Sequence, residues 1–427
     1  MTDAAYELLG DGATVDAGVV DAGVVPLRWP VTHGTTDTVL TDVGWGLGEV
    51  AGVPDAAVDL VRIAAGAYMA DRLTQRGSGF TRRIALAVAV TDTARWADGA
   101  VDDLERLLSW LTGDLWHLAV VQDEVPVAEP LLEPEHDAVP TSLLSGGLDS
   151  FLGAIELLQI LDAVRFLGHK DAAPSVKAAQ TRVQAWLARS YTPSPSYTRV
   201  ALRQAARKLE PSSRSRSLLF AALGIAVCSA SGAATLYVPE NGYTSINAPL
   251  HANRGGALST RSTHPETFRR LDELVDRLGL GVVISNPFAD MTKGEALRHV
   301  AASSPPDGWL DIAAGTLSCS KLDGNWNHGN PNLNCGLCVS CLVRRGTFMA
   351  AGQPDHTVYL VNALTGTARD ELIVHRRSDI EAVRYAVAAG VDDDQIDSGT
   401  WPPDQDLDAV ADLIRRGLTE LAAVPLP

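Results

Sequence analysis

Apolar residues recur at helical spacing from Pro54 to about Arg72, through Val58, Val61, Ile63, Ala64 and Tyr68, and Arg83 to Val90 is a β-rich run that ends at Thr91-Asp92. Further on, Asp102 to Leu111 sets Leu104, Leu107, Leu108 and Leu111 on one face, and Leu115 to Val121 alternates as a short strand. This order predicts a compact α/β domain over residues 1–125. Its opening carries a duplicated pentapeptide, Asp16-Ala-Gly-Val-Val20 and then Asp21-Ala-Gly-Val-Val25. Two copies are too few for a solenoid and predict a local turn-and-strand repeat.

Residues 126–140 crowd prolines with acidic groups and read as a linker. Beyond it, short apolar runs alternate with amphipathic segments. Strands are predicted near 142–144, 163–168, 197–202, 235–238 and 281–285, and helices over 149–162, 174–189, 214–231, 265–279 and 293–302. Such alternation means α/β architecture, a parallel sheet with helices on both faces, here over 141–355. Helices near 378–389 and 406–422 belong to a C-terminal extension over 356–427.

The 427 residues carry 35 Lys+Arg against 52 Asp+Glu, a net charge of -17, with 46% apolar residues. This is a globular composition, so disorder throughout is excluded. No apolar run has transmembrane length, and the start, Met1-Thr2-Asp3-Ala4-Ala5, lacks the basic-then-apolar order of a signal peptide; both predict a cytoplasmic protein without membrane contact. The acidity argues against broad nucleic-acid binding. It is unevenly spread: residues 1–140 carry -15, residues 356–427 carry -7, and residues 141–355 carry +5.

Ser145-Gly146-Gly147-Leu148-Asp149-Ser150 sits where the first strand of the parallel sheet gives way to a helix. Two glycines let successive N–H groups converge on one concavity, and the helix start adds partial positive charge, so a pyrophosphate can be held without lysine. Ser145 and Ser150 add hydroxyls, and Asp149 is placed to hold a magnesium ion. The bland alternative is a glycine turn with a Ser/Asp cap, but a strand-to-helix switch is where ligands collect in such sheets. The loop lacks the Gly-Lys-Ser/Thr of a Walker A sequence and resembles the PP-loop of ATP pyrophosphatases.

Cys319, Cys335, Cys338 and Cys341 provide four thiols, the last three at Cys-x2-Cys-x2-Cys spacing. Four thiolates suit a closed, structural zinc site. An iron–sulfur cluster takes the same donors, disulfides remain an alternative, and His328 offers a substitute ligand. Cys228 reads as a small buried apolar residue.

Together, the loop and Cys…Cys-Gly-x-Cys-x2-Cys-x2-Arg resemble the QueC proteins, PP-loop enzymes with an adenine nucleotide alpha hydrolase-like core. Those enzymes convert 7-carboxy-7-deazaguanine to the 7-cyano compound with ATP and ammonia. Arg214-Ser-Arg216-Ser-Leu-Leu-Phe-Ala-Ala and Pro287-Phe-Ala-Asp-Met-Thr-Lys293-Gly-Glu295 resemble further family segments, so the likeness covers about 140–350. The added N- and C-terminal parts, Gly168-His169-Lys170-Asp171 and the segment from Glu240 to Leu250 depart from simple QueC enzymes. They resemble the larger QueC-like proteins of antiviral operons, of the Qat system and of type IV CBASS.

The resemblance implies ATP, magnesium and zinc, with adenylation of a deazaguanine carboxylate followed by attack of an amine on a partner protein. A nitrile synthase using ammonia and a non-catalytic nucleotide-binding scaffold are the alternatives; RNA thiolation would need an active-site cysteine, for which Cys228 alone is left. Asp149, Ser150 and Lys293 become catalytic candidates. Ser145, Gly146, Gly147, Arg214 and Arg216 join Asp149 and Ser150 as phosphate-side candidates, and Glu240, Asn241, Asn247 and His169 as base-side candidates. Thr292-x-x-Glu295 is a capping box, which alternatively makes Lys293 a surface residue. Arg344 and Arg345 read as surface residues of a helix.

Overall fold

The computed structural model describes residues 2–10, 23–29, 39–48, 50, 52–77, 81–123, 137–170, 173–204, 209–210, 214–248, 250, 261–327 and 329–427. Most of the pentapeptide repeat, the linker up to residue 136, Asp171 and His328 lie outside the described residues. The first unit holds strands β1 (Thr2–Gly10), β2 (Val24–Trp29), β3 (Val39–Thr41), β4 (Arg82–Val90) and β5 (Leu115–Gln122), with helices α1 (Asp55–Leu73), α2 (Ala94–Ala97) and α3 (Ala100–Thr112). Its sheet is parallel, in the order β2-β1-β4-β5.

The second unit begins with β6 (Thr141–Leu143), α4 (Leu148–Ile160), β7 (Arg165–His169), α5 (Pro174–Ser190), β8 (Tyr197–Val200), β9 (Leu202–Gln204) and α6 (Arg216–Ser231). It continues through β10 (Thr235–Tyr237), α7 (Gly242–Ile246), α8 (Pro265–Arg277), β11 (Val283–Ser285), α9 (Lys293–Ala302) and α10 (Trp309–Ala314). The sheet β11-β10-β6-β7-β8 is parallel throughout, as the alternating pattern implies. Helices α11 (Val339–Ala351), α12 (Leu360–Ala363), α13 (Gly366–His375), α14 (Arg377–Ala389), α15 (Asp393–Asp397) and α16 (Leu407–Ala422) complete the chain. No described helix is long and apolar enough to cross a membrane.

Two expected strands come out differently. The strand over 197–202 divides at Ala201: β8 stays in the sheet, while β9 leaves it to pair antiparallel with β3 of the first unit. The strand over 281–285 is confined to Val283–Ser285, because Gly281 stands at φ +64° and ends extended backbone there.

The two units share one apolar core, in which α1 and α6 pack against each other. Leu8 and Leu86 press on Gly66 of α1 from the first sheet, and a Cβ on Gly224 of α6 would stand 2.6 Å from Leu236 of the second. Both helices are buried on all sides, which is why neither carries a clean polar stripe. A polar bolt crosses the same junction. The fully buried Arg82 guanidinium bonds Asp71 at 2.6 Å and Asp114 at 2.5 Å, and Asp71 accepts the Ser215 hydroxyl at 2.7 Å.

Candidate active site

The Ser145–Ser150 loop leaves β6 and enters α4, and its shape is imposed from beneath by α5. Gly146 stands at φ +88°, and a Cβ there would lie 2.9 Å from Cγ of Gln180. Gln180 is buried and donates from Nε2 to the carbonyls of Ser145, at 3.1 Å, and His169, at 2.7 Å. The Tyr197 hydroxyl donates to the Leu144 carbonyl at 2.8 Å, and the Leu317 N–H donates to the Gly146 carbonyl at 3.1 Å. Within the loop, Ser145 Oγ accepts the Gly147 N–H at 3.2 Å and lies 3.0 Å from Ser150 Oγ. The result is a turn braced by hydrogen bonds at the start of α4, whose first N–H groups have no partner within the helix.

Asp149, on the first turn of α4, faces inward rather than toward solvent. Its Oδ2 meets Lys293 Nζ at 2.6 Å and its Oδ1 accepts from Asn241 Nδ2 at 2.9 Å. Asp149 and Lys293 are 8% and 7% exposed, so the pair is held in a dry setting. Burial works to raise the Asp149 pKa, but the Lys293 ammonium and the donated hydrogen bonds outweigh it and leave the carboxyl depressed. Burial likewise works against the charge of Lys293 and is overcome by Asp149 and Glu240. With the ammonium on one oxygen and an amide on the other, Asp149 offers a poor berth for magnesium in this arrangement. The capping box at α9 is present as well, Thr292 and Glu295 bonding each other's N–H groups, yet Lys293 is an interior residue, not a surface one.

Glu240 completes the cluster. Its Oε1 accepts from Thr244 Oγ1 at 2.7 Å and from Asn241 Nδ2 at 3.1 Å, and a hydrogen bond links it to Asp149. Burial, reinforced by the negative charge of Asp149, pushes its pKa up to about 8, so it stands as a neutral acid between Asp149 and the cavity. Asn241 is the N-cap of α7, its Oδ1 accepting the Thr244 N–H at 3.0 Å, and is fully buried. It orients Asp149 and Glu240 and does not reach outward to a base.

A cavity of about 200 Å³ opens over the loop, lined by Ser145, Ser150, His169, Arg216, Phe220 and Glu240, with Leu107 and Leu111 of α3 and Phe268 of α8 closing its apolar end. Ser145, Ser150, His169, Arg216 and Glu240 are therefore brought together as the sequence leads one to expect. His169 ends β7, its Nε2 3.2 Å from the Leu202 carbonyl and its ring against Phe220. Arg214 is not brought to the loop: its guanidinium bonds the Thr112 carbonyl at 3.2 Å and its N–H bonds Asp71, so it belongs to the junction between the units. Asn247, the left-handed C-cap of α7 at φ +50°, faces a different cavity.

Part of the chain is similar to 7-cyano-7-deazaguanine synthases. It is 40% identical over 73 residues to those of Cupriavidus taiwanensis and Cupriavidus necator, 17% of this chain and 27% of each relative. It is 28% identical over 147 residues to that of Ectopseudomonas mendocina, 34% of this chain and 56% of the relative. The chain thus spans about a quarter of the length of the first two relatives and about half of the third. No family model matches the chain, and no solved structure does.

The four clustered cysteines are buried and free of disulfides, and their sulfurs all lie within 4.8 Å of one another. Cys319 Sγ stands 3.8 Å from Cys338 Sγ, and Cys335 Sγ 3.9 Å from Cys341 Sγ. Tetrahedral zinc with bonds of about 2.3 Å separates its sulfurs by about 3.8 Å, so the donor set and its size fit zinc, whereas a cluster of several irons needs sulfurs further apart. Four thiolates would fill the tetrahedral shell of such an ion and leave no position open for substrate. Cys338 is the N-cap of α11, which carries Arg344. Arg344 is fully buried, bonding Thr316 and Ser318 at 3.0 Å and the Ala313 carbonyl at 2.5 Å, which corrects its reading as a surface residue. Arg345 lies over the Tyr359 ring. Cys228 is buried in α6, its thiol donating to the Thr235 carbonyl at 3.3 Å, far in role from any nucleophile.

Two further supports escaped the sequence reading. Gln180 carried no motif. Glu420 of α16 accepts from the Thr292 hydroxyl and from the Gly294 N–H at 3.1 Å, so the C-terminal extension grips the helix start that carries Lys293.

Proposed function

We propose that the protein activates a carboxylate of the 7-carboxy-7-deazaguanine type with ATP and transfers the acyl group to an amine of a partner protein, in the manner of the QueC-like proteins of antiviral operons. The reading rests on one observation: a buried Lys293–Asp149 pair, flanked by neutral Glu240, directly behind a Ser-Gly-Gly-Leu-Asp-Ser turn. In the first step the substrate oxygen bonds the α-phosphorus of ATP and the bond to the pyrophosphate oxygen breaks. The loop N–H groups, Ser145, Ser150 and Arg216 hold the phosphates, and the Lys293 ammonium behind the loop stabilises the negative charge that develops on the leaving group. In the second step the amine nitrogen bonds the acyl carbon, AMP departs with the shared oxygen, and the nitrogen proton passes to a base. Glu240, once ionised, is the residue positioned to receive it.

Incubation with ATP, magnesium, 7-carboxy-7-deazaguanine and the products of neighbouring genes should add a base-sized mass to one of those proteins. Free 7-cyano-7-deazaguanine with no protein adduct would sink the conjugation reading and favour the second one, nitrile synthesis with ammonia, which the names of the partial relatives support. Failure of pyrophosphate release with any such acid would leave a nucleotide-binding scaffold. The acidic terminal parts, -15 and -7, suit a partner with a basic or mixed-charge surface, and an association insensitive to salt would count against that.

A further inference from the structure

The helix start that carries Lys293 is held from the C-terminal extension. The first backbone N–H groups of a helix find no partner inside it. In α9 the Glu295 N–H is taken by the Thr292 hydroxyl at 3.2 Å, and the Gly294 N–H by Oε2 of Glu420 at 3.1 Å, across 126 residues of chain. Oε1 of the same carboxylate accepts the Thr292 hydroxyl. One carboxylate thus bonds the residues on both sides of Lys293, and its charge suits the positive end of the helix. Arg416, one turn earlier on α16, pairs with Glu295 and donates to the Asp290 carbonyl at 3.2 Å, so the approach to α9 and its first turn are gripped as well.

The contact is close because glycines stand where the helices meet. A Cβ on Gly294 would collide with Oε1 of Glu420, and one on Gly346 of α11 would lie 2.6 Å from the Glu420 carbonyl oxygen. On the other side of α16, a Cβ on Gly417 would collide with the Tyr243 ring of α7. α16 therefore touches both α9, which carries Lys293, and α7, whose N-cap Asn241 bonds Asp149. Burial raises the Glu420 pKa against the bonds from Thr292 and Gly294, so a carboxylate is a poorer choice here than an apolar residue for packing alone.

We infer that Glu420 is a positioning residue for Lys293 and, on the role proposed above for that ammonium, for the adenylation step. By bonding residues 292 and 294 it fixes the point from which the Lys293 side chain reaches Asp149. The lysine stem is flexible, so its backbone anchor sets where the ammonium can stand. A misplacement of about 1 Å at a group acting on the transition state costs about 100-fold in rate.

The test uses the full chain. Glu420→Met keeps the bulk of the side chain and removes both acceptors, Glu420→Gln keeps one acceptor for the Gly294 N–H, and Val410→Ala removes buried packing at the far end of α16. ATP–pyrophosphate exchange gives kcat and KM. NMR of protein labelled at the lysine Cε follows Lys293, one of five lysines, its signal assigned by its loss in Lys293→Met. Glu420→Met should lower kcat about tenfold or more, the weight of a hydrogen bond to a charged group, with KM for ATP within about threefold of wild type. It should also move the Lys293 signal toward those of the exposed Lys170 and Lys321. Glu420→Gln should restore the signal and bring kcat to within about threefold of wild type. Val410→Ala should lower the melting temperature and change neither. Should Glu420→Met fail to fold, Glu420→Asp, which withdraws the acceptors by one methylene, takes its place with the same expectations. Equal kcat losses in Glu420→Met and Val410→Ala, no recovery in Glu420→Gln, or a Lys293 signal indifferent to Glu420→Met overturns the inference. If the wild type shows no exchange, the adenylation reading fails and the Lys293 signal alone decides this one, so the two failures are told apart.

Discussion

Replacing Lys293 by methionine separates the two roles of the buried ion pair. At an effective dielectric of about 20, charges 2.6 Å apart attract by about 6 kcal/mol. Removing both ions from water costs several kcal/mol each, so the intact pair is close to neutral for stability. Lys293→Met removes the attraction and leaves Asp149 buried beside Glu240, a loss of about 3–5 kcal/mol. Asp149→Asn leaves a buried ammonium and should cost a similar amount. The double variant leaves no bare charge, and its loss should fall short of the sum by about 2–3 kcal/mol. Urea unfolding of the four proteins, followed by tryptophan fluorescence, measures this. ATP–pyrophosphate exchange is measured in parallel and should fall about 100-fold or more in Lys293→Met without recovery in the double variant. Additivity within about 0.5 kcal/mol would refute the pairing. Recovered exchange in the double variant would make Lys293 a purely structural residue.

Glu240 titrates in the folded protein at about 8 against an ordinary 4.5, so between those values the folded state holds a proton that the unfolded state has released. Its contribution is full below pH 4.5 and is lost as pH rises through about 8; melting temperatures should therefore show wild type losing stability relative to Glu240→Gln over that window. Gly146→Ala places a methyl 2.9 Å from Gln180 at φ +88°, and should cost about 1–3 kcal/mol and most ATP affinity, read by calorimetry. Gln180→Ala removes the obstruction, so Gly146→Ala should be less damaging in that background. One zinc per chain is expected by metal analysis. Cys338→Ser should lower zinc content and the melting temperature together, because Cys338 caps α11 and α11 packs on α9, which carries Lys293.

What the sequence reveals here follows the range of the interaction. The loop, the capping box and the cysteine spacing are local patterns, and each is realised: Gly146 takes its positive φ, Thr292 and Glu295 bond each other, and the sulfurs converge. The alternating runs likewise yield a parallel sheet, since period and turn chemistry act over a few residues. Burial of a charge is decided by what arrives from elsewhere in the chain. Lys293 and Arg344 have ordinary helical contexts, and nothing near them in sequence indicates that Asp149 or Thr316 will meet them. The same limit divides Asn241 from Asn247. As loop residues they read, with Glu240, as one set of base-side candidates, but the five residues of α7 stand between them, so one caps the helix start against Asp149 and the other faces the second cavity from its far end. A helix too short to show periodicity therefore divides one expected pocket into two, and the residues flanking it decide which side chains reach the chemistry at the loop.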